Sequence, residues 1–223
     1  AVADATGTNT YRVRAGRIID HVIEWAAHNR WRIPEHFKSD WSLDLECNAD
    51  KKDDQFKPYG ATPGHGIEWA RLIVQWALSS FANRDGARPY IDAAEHLFAR
   101  AVDDAWNADG AEGLVYTTDW NGTPVVTDRM HWTAAESLNT AATLHAATGE
   151  ARYANWYATF ARYVNEHVID HEGGSWFHQL DGDNRVIGTV WPGKSDLYHA
   201  FQSTLIPFLD PAVSIATAVK NAA

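Results

Sequence analysis

Three helix starts in this chain of 223 residues carry a histidine in similar surroundings: "PGHGIE" at 63–68, "RMHWTAAE" at 129–136 and "KSDLYHAFQ" at 194–202. His65, His131 and His199 lie 66 and 68 positions apart, and each start follows a stretch of β-formers and turn residues. Such a period fits one pair of antiparallel helices plus a short hairpin. Repeated pairs suit a toroid whose inner helices aim their N-termini at one central cavity, with the hairpins on its rim. The repeat therefore predicts both an architecture and a place for the chemistry.

Local patterns fill in the elements. Apolar residues at helical spacing (Tyr11, Ile18, Ile19, Val22, Ile23, Trp25, Ala26) predict a helix over 11–30, and "DWSLDLECN" at 40–48 alternates like a strand. Helices are expected from Pro63 to about Ala82 and from Pro89 to about Trp106. The Asn121-Gly122 turn predicts a hairpin over 113–128. Two more helices, 131–147 and 150–169, are split by Gly149, a good helix stop. A second hairpin is expected over 174–190, a helix from Asp196 to Phe208, and a short terminal helix within 210–223. The fold class is all-α, with β-hairpins on one edge and a single domain over 1–223.

Composition narrows the function. A 45% hydrophobic chain of this length can bury one substantial core. No apolar run approaches the ~20 residues of a membrane span, and the N-terminus lacks a basic-then-apolar signal pattern. A net charge of −10 argues against nucleic acid or an anionic membrane as partner. The single cysteine, Cys47, excludes an internal disulfide and fits a reducing, cytoplasmic compartment. Eleven tryptophans suit either a large core or a cleft that stacks sugar rings.

The opening motif is the densest in chemistry. Thr62 and Pro63 suit the N-cap and first helical position, and Trp69, Leu72, Ile73 and Trp76 are the expected buried stripe. His65 and Glu68 share the first turn, and Gly64 and Gly66 leave room for close approach to the imidazole. A helix N-terminus disfavours imidazolium, so these histidines are expected to be neutral near pH 7 and able to accept protons. No metal is expected at the three helix starts, because none of them carries a His-x3-His or Cys-x2-Cys spacing. Glu68 and Glu136 could be the carboxylate pair of a glycoside hydrolase, but each accompanies a histidine, which favours proton shuttling. Glu136 could instead only hydrogen-bond a loop. Lys194, Ser195 and Asp196 could simply cap the last of the three helices. A glycoside hydrolase-like toroid and a non-catalytic sugar-binding module remain as competing classes.

"PGHGIEWARL", "RMHWTAAESL" and "GKSDLYHAFQSTLIP" resemble the N-acylglucosamine 2-epimerase family, in motif order over nearly the whole chain, and most closely its aldose–ketose isomerase branch. The resemblance implies an (α/α)6 barrel and proton transfer, without cofactor or metal, on a ring-opened monosaccharide. It implies D-mannose to D-fructose isomerisation, with 2-epimerisation as the alternative. His65 and His199 match the family's two catalytic histidines, with His199 as base and His65 as acid. Glu68 matches the glutamate that supports the first histidine and touches the sugar. Trp132 matches an active-site tryptophan, and Glu136 follows it as in the family. His131 stands where many relatives have tryptophan, so it shapes the pocket or moves protons; Arg129, Trp191 and Lys194 are further lining candidates. The chain has helices for about half of the barrel, and the substrate-clamping arginine of the family's N-terminal half has no counterpart. The missing half is expected from the same or a separate chain.

Overall fold

The computed structural model describes residues 1–54, 56–194 and 197–222. Glycine and proline punctuation sets several helix ends. α1 (Val2–Thr6) stops at Gly7 in the left-handed region, and α2 (Asn9–His28) follows. After a long loop, α3 (Pro63–Ser80) starts with proline in its first turn. α4 (Arg84–Ala105) starts five residues earlier than expected, because the Asn83 side chain accepts from Gly86 N and caps it. Pro89 therefore sits inside the helix rather than at its start. α5 (His131–Thr148) ends at Gly149 with φ 75°, and α6 (Ala151–Tyr163) runs on into a π-helical turn, Val164–Val168. α7 (Leu197–Ser203) is shorter than expected and gives way to a 3-10 turn at Ile206–Phe208. The cap expected of Ser195 and Asp196 lies outside the described residues. α8 (Ile215–Ala222) closes the chain, and Ser214 N donates to Asp4 of α1.

Helices α3 and α4 pack as one antiparallel pair and α5 and α6 as the next, while α3, α5 and α7 stand side by side in a row. α5 is the centre of this row and is buried nearly all round. Its hydroxyls bond to backbone carbonyls: Ser137 donates to Thr133 O, Thr143 to Asn139 O, and Thr140 to Ile67 O across the α3 contact. The row of helix pairs agrees with the repeat. No described helix is long and apolar enough to cross a membrane.

The stripe expected on α3 is displaced by about one position. Ile67, Ala70, Ile73, Val74 and Ala77 are wholly buried, whereas Leu72 is 38% exposed and Trp69 and Trp76 only half-buried. On α2 the expected stripe holds at Ile19, Val22 and Ala26, which are buried together with Gly16, while Tyr11 and Ile18 are exposed. Small residues occupy the contact lines because they let the helix axes approach, and aromatic bulk packs at their margins. Gly16 is one such contact: a Cβ there would lie 2.4 Å from the Trp76 ring. Each fully buried Ile or Leu in this core contributes about 1.5–3 kcal/mol.

The hairpins lie where expected, with one difference. β1 (Thr117–Thr118) pairs with β2 (Pro124–Val126) around Asn121-Gly122. β3 (Arg129–Met130), however, joins β4 (Gln179–Leu180) and β5 (Val186–Ile187) in an antiparallel sheet of order β3-β4-β5. The second hairpin thus clamps the start of α5. The strand expected at 40–48 is absent: the segment holds one isolated bridge, Phe37 to Leu43, and otherwise turns. Asp40 accepts from both Ser42 N and Ser42 Oγ, and Asn48 adopts a φ of 57°, so side-chain-stabilised turns take up the alternating pattern.

Candidate active site

The starts of α3, α5 and α7 converge. The Trp132 ring lies between two imidazoles, its centroid 4.9 Å from that of His65 and 5.9 Å from that of His199. Gly64 permits this convergence, since a Cβ there would fall 2.6 Å from Thr133 Cγ2 and 2.8 Å from the Trp132 ring. Gly64 therefore serves helix packing rather than ligand approach, and Gly66 likewise faces Ala101 of α4. Tyr116 meets Trp132 edge-on at 6.3 Å.

Each imidazole is held by a carboxylate. His65 Nδ1 lies 2.7 Å from Glu35 Oε1, and His199 Nδ1 lies 3.1 Å from Glu136 Oε1. A carboxylate can only accept, so in both rings Nδ1 carries a proton and Nε2 is the basic nitrogen of the neutral form. This corrects two expectations. The partner of His65 is Glu35, from the long loop, and not Glu68. Nor does its helix end set the charge balance at His65: burial disfavours its charge, but the hydrogen bond and charge of Glu35, aided by Glu68, outweigh burial and raise its pKa.

Behind the rings lies a buried charge network. Glu136 is fully buried and accepts from Arg71 Nε at 2.8 Å, and Arg71 is itself 3% exposed. Burial penalises the Glu136 carboxylate, but His199 and Arg71 together hold its pKa below the ordinary glutamate value. Arg71 Nη1 donates to Gln75, while Nη2 makes no hydrogen bond among the described residues and stands 3.8 Å from Glu68 Oε1. Glu68 shifts the other way, its pKa raised by burial and then by the charge of Glu136. Two carboxylates sharing one guanidinium are thus driven apart, Glu136 towards the ionised form and Glu68 towards the protonated one.

The remaining candidates divide. His131 is buried beside the pair, its ring 6.1 Å from His199 and 4.4 Å from His178. Trp191 is half-exposed at the rim, stacked on His178 at 6.0 Å. Arg129 does not line the cleft with its charge: its guanidinium is fastened to Asp109 by two 2.8 Å bonds and to the carbonyls of Ala111 and Thr127. Lys194 pairs with Asp170 and lies over the Phe177 ring. The expectation that both cations line the pocket is corrected accordingly. Among the described residues, one group of three possible metal ligands comes together, Glu112, Glu166 and His167, and Arg162 already bridges its two carboxylates.

Sequence reasoning missed Glu35, Arg71 and His178. Glu35 belongs to no motif and lies 30 positions from its partner. Arg71 did leave a signal, since a lone cation within "WARLIV" must be buried or face a cleft.

The comparisons with known proteins point to one family. The profile of the N-acylglucosamine 2-epimerase (GlcNAc 2-epimerase) family matches residues 1–203. The chain is 43% identical to the D-mannose isomerase of Pseudomonas cannabina pv. alisalensis, over 99% of this chain and 54% of that protein. It is equally similar, with the same coverage, to the D-mannose isomerase of Thermobifida fusca. A crystal structure of D-mannose isomerase superposes with a TM-score of 0.83 at 29% identity, covering 92% of this chain and 52% of that one. The cellobiose 2-epimerase of Spirochaeta thermophila shares the fold, with a TM-score of 0.70 at 20% identity over 98% of this chain and 50% of that one. The chain spans about half the length of the curated relatives it matches.

Proposed function

The chain belongs to the N-acylglucosamine 2-epimerase family, and on that footing we propose that its cleft serves an aldose–ketose isomerase converting D-mannose to D-fructose. The single observation that carries the reading is the pair of carboxylate-held histidines flanking Trp132. A sugar C–H beside a carbonyl is too weak an acid to ionise without a positioned base and a proton donor at the developing enediolate oxygen. His199 Nε2 removes the C2 proton of the open-chain aldose while His65 gives its proton to O1. The cis-enediol then loses its O2 proton to His65 and receives the first proton from His199 at C1. Atoms and charge balance, and both rings return to their starting states. Glu136 supports the imidazolium formed on His199, Trp132 packs on the apolar face of the sugar, and Glu68 hydrogen-bonds a hydroxyl. The site is proposed as the C-terminal part of an (α/α)6 barrel in which residues 1–223 form one domain. The 52–54% coverage of the relatives supports that reading. A cytoplasmic location goes with it, supported by the lone Cys47.

The test uses the complete protein that carries this chain. Incubated with mannose, glucose, lyxose, talose and N-acylated hexosamines in D2O, it is expected to turn mannose mainly into fructose, with deuterium entering C1 in proportion to exchange of the carried proton. Glucose as the dominant early product would make it a 2-epimerase, and new reducing ends from a disaccharide would make it a hydrolase. Neutral and charged imidazoles suffice for these steps, so activity is expected to survive exhaustive chelation. Loss with EDTA, and recovery with one specific divalent cation, would overturn the roles given to His65 and His199.

A further inference from the structure

Glu35 is built into place more firmly than a loop residue needs to be. Three residues before it, Arg32 forms a bidentate buried pair with Asp104 of α4, at 2.6 and 2.8 Å. Trp31 stacks on His96 at 4.7 Å, and Ile33 is buried in the core. On its other side, His36 Nε2 contacts Pro58 O at 3.2 Å, and Ala61 bridges to Thr118. These contacts deliver one carboxylate to one ring nitrogen, His65 Nδ1, at 2.7 Å.

Resting on the isomerase reading, we infer that Glu35 is the positioning residue of the acid, fixing His65 with Nδ1 protonated and keeping the ring in the imidazolium form that gives a proton to the substrate oxygen. The groups around the ring are few. Glu68 of its own helix acts on the ring by charge and Trp132 of α5 packs on it, while Arg71 stands by Glu68 and Glu136 by His199 of α7. Tyr116 stands near Glu35. Of these, only Glu35 hydrogen-bonds the ring among the described residues. The two dyads then have opposite duties. Glu136 is shared between His199 and Arg71, while Glu35 accepts from His65 and favours charge on it. This differs from the family pattern carried in by sequence, which gave the supporting role to Glu68.

Glu35→Gln keeps an acceptor for Nδ1–H and removes the charge. In the complete protein labelled with 15N-histidine, with His65 identified by loss of its signals in His65→Asn, the His65 titration midpoint is expected to fall by about one pH unit. That is the low end for losing an adjacent opposite charge, because the ring is 40% exposed. Above both midpoints the protonated fraction, and with it kcat on mannose, should fall about tenfold. Below them kcat should approach that of the unmodified protein, with KM little changed throughout. Glu35→Asp should restore most of the midpoint. An unmoved midpoint, or a loss of kcat equal at every pH, overturns the inference. If the unmodified protein turns over no sugar, the isomerase reading fails while the titration still decides whether Glu35 sets the state of His65.

Discussion

Replacing His199 with Asn is expected to lower kcat for mannose isomerisation by about 10²–10⁴-fold, the usual worth of a positioned general base, or roughly 3–5 kcal/mol of barrier. Asn is the informative choice because its amide NH2 can still donate to Glu136 Oε1, as Nδ1 does now at 3.1 Å. The buried carboxylate keeps a partner, so stability and KM should move little. What is lost is Nε2, the only atom of the residue able to take a proton from carbon. Solvent exchange at C2 should disappear along with fructose formation, since both begin with the same C–H cleavage. Undiminished C2 exchange in this variant, measured by NMR in D2O, would assign the base elsewhere, with His131, whose ring lies 6.1 Å from that of His199, the first to test.

How far such a site can be read from sequence depends on whether its parts share a local period. His65, Trp132 and Glu136 are fixed by helix starts that proline, glycine and apolar spacing announce, and those starts fall at Pro63 and His131 as expected. The hairpin turns were legible for the same reason. Glu35 was not, because its position depends on Arg32 finding Asp104 at a separation of 72 residues. Strand β3 was also illegible: Arg129 pairs with Leu180, a partner no local pattern specifies. Arg129 and Lys194 looked available because a cation near a motif has no visible partner in sequence, whereas Asp109 and Asp170 occupy them in space. The false strand at 40–48 shows the converse failure, since short Asx turns can alternate polar and apolar residues as a strand does.

The second large effect concerns stability. Arg71→Met is expected to destabilise the protein by about 3–5 kcal/mol, because it leaves a buried carboxylate with its main countercharge removed. Total stabilities of about 5–15 kcal/mol make that a severe loss. Glu136 would then have to accept a proton or draw water into the row of helices, and in either case His199 loses the anion that supports its charged form. Glu136→Leu should be damaging for the opposite reason, stranding the Arg71 cation with Glu68 3.8 Å away as its nearest anion. Replacing both at once, by Met and Leu, removes charge and countercharge together, so the double variant should be nearer to the unmodified protein than the two single losses added. Urea midpoints at constant m-value measure the cycle. Strict additivity would show that Arg71 and Glu136 do not act as one unit. The double variant should nevertheless be inactive, because a recovered fold does not restore the carboxylate on His199 Nδ1. Stability without turnover is the outcome that separates what this pair does for the structure from what it does for the base.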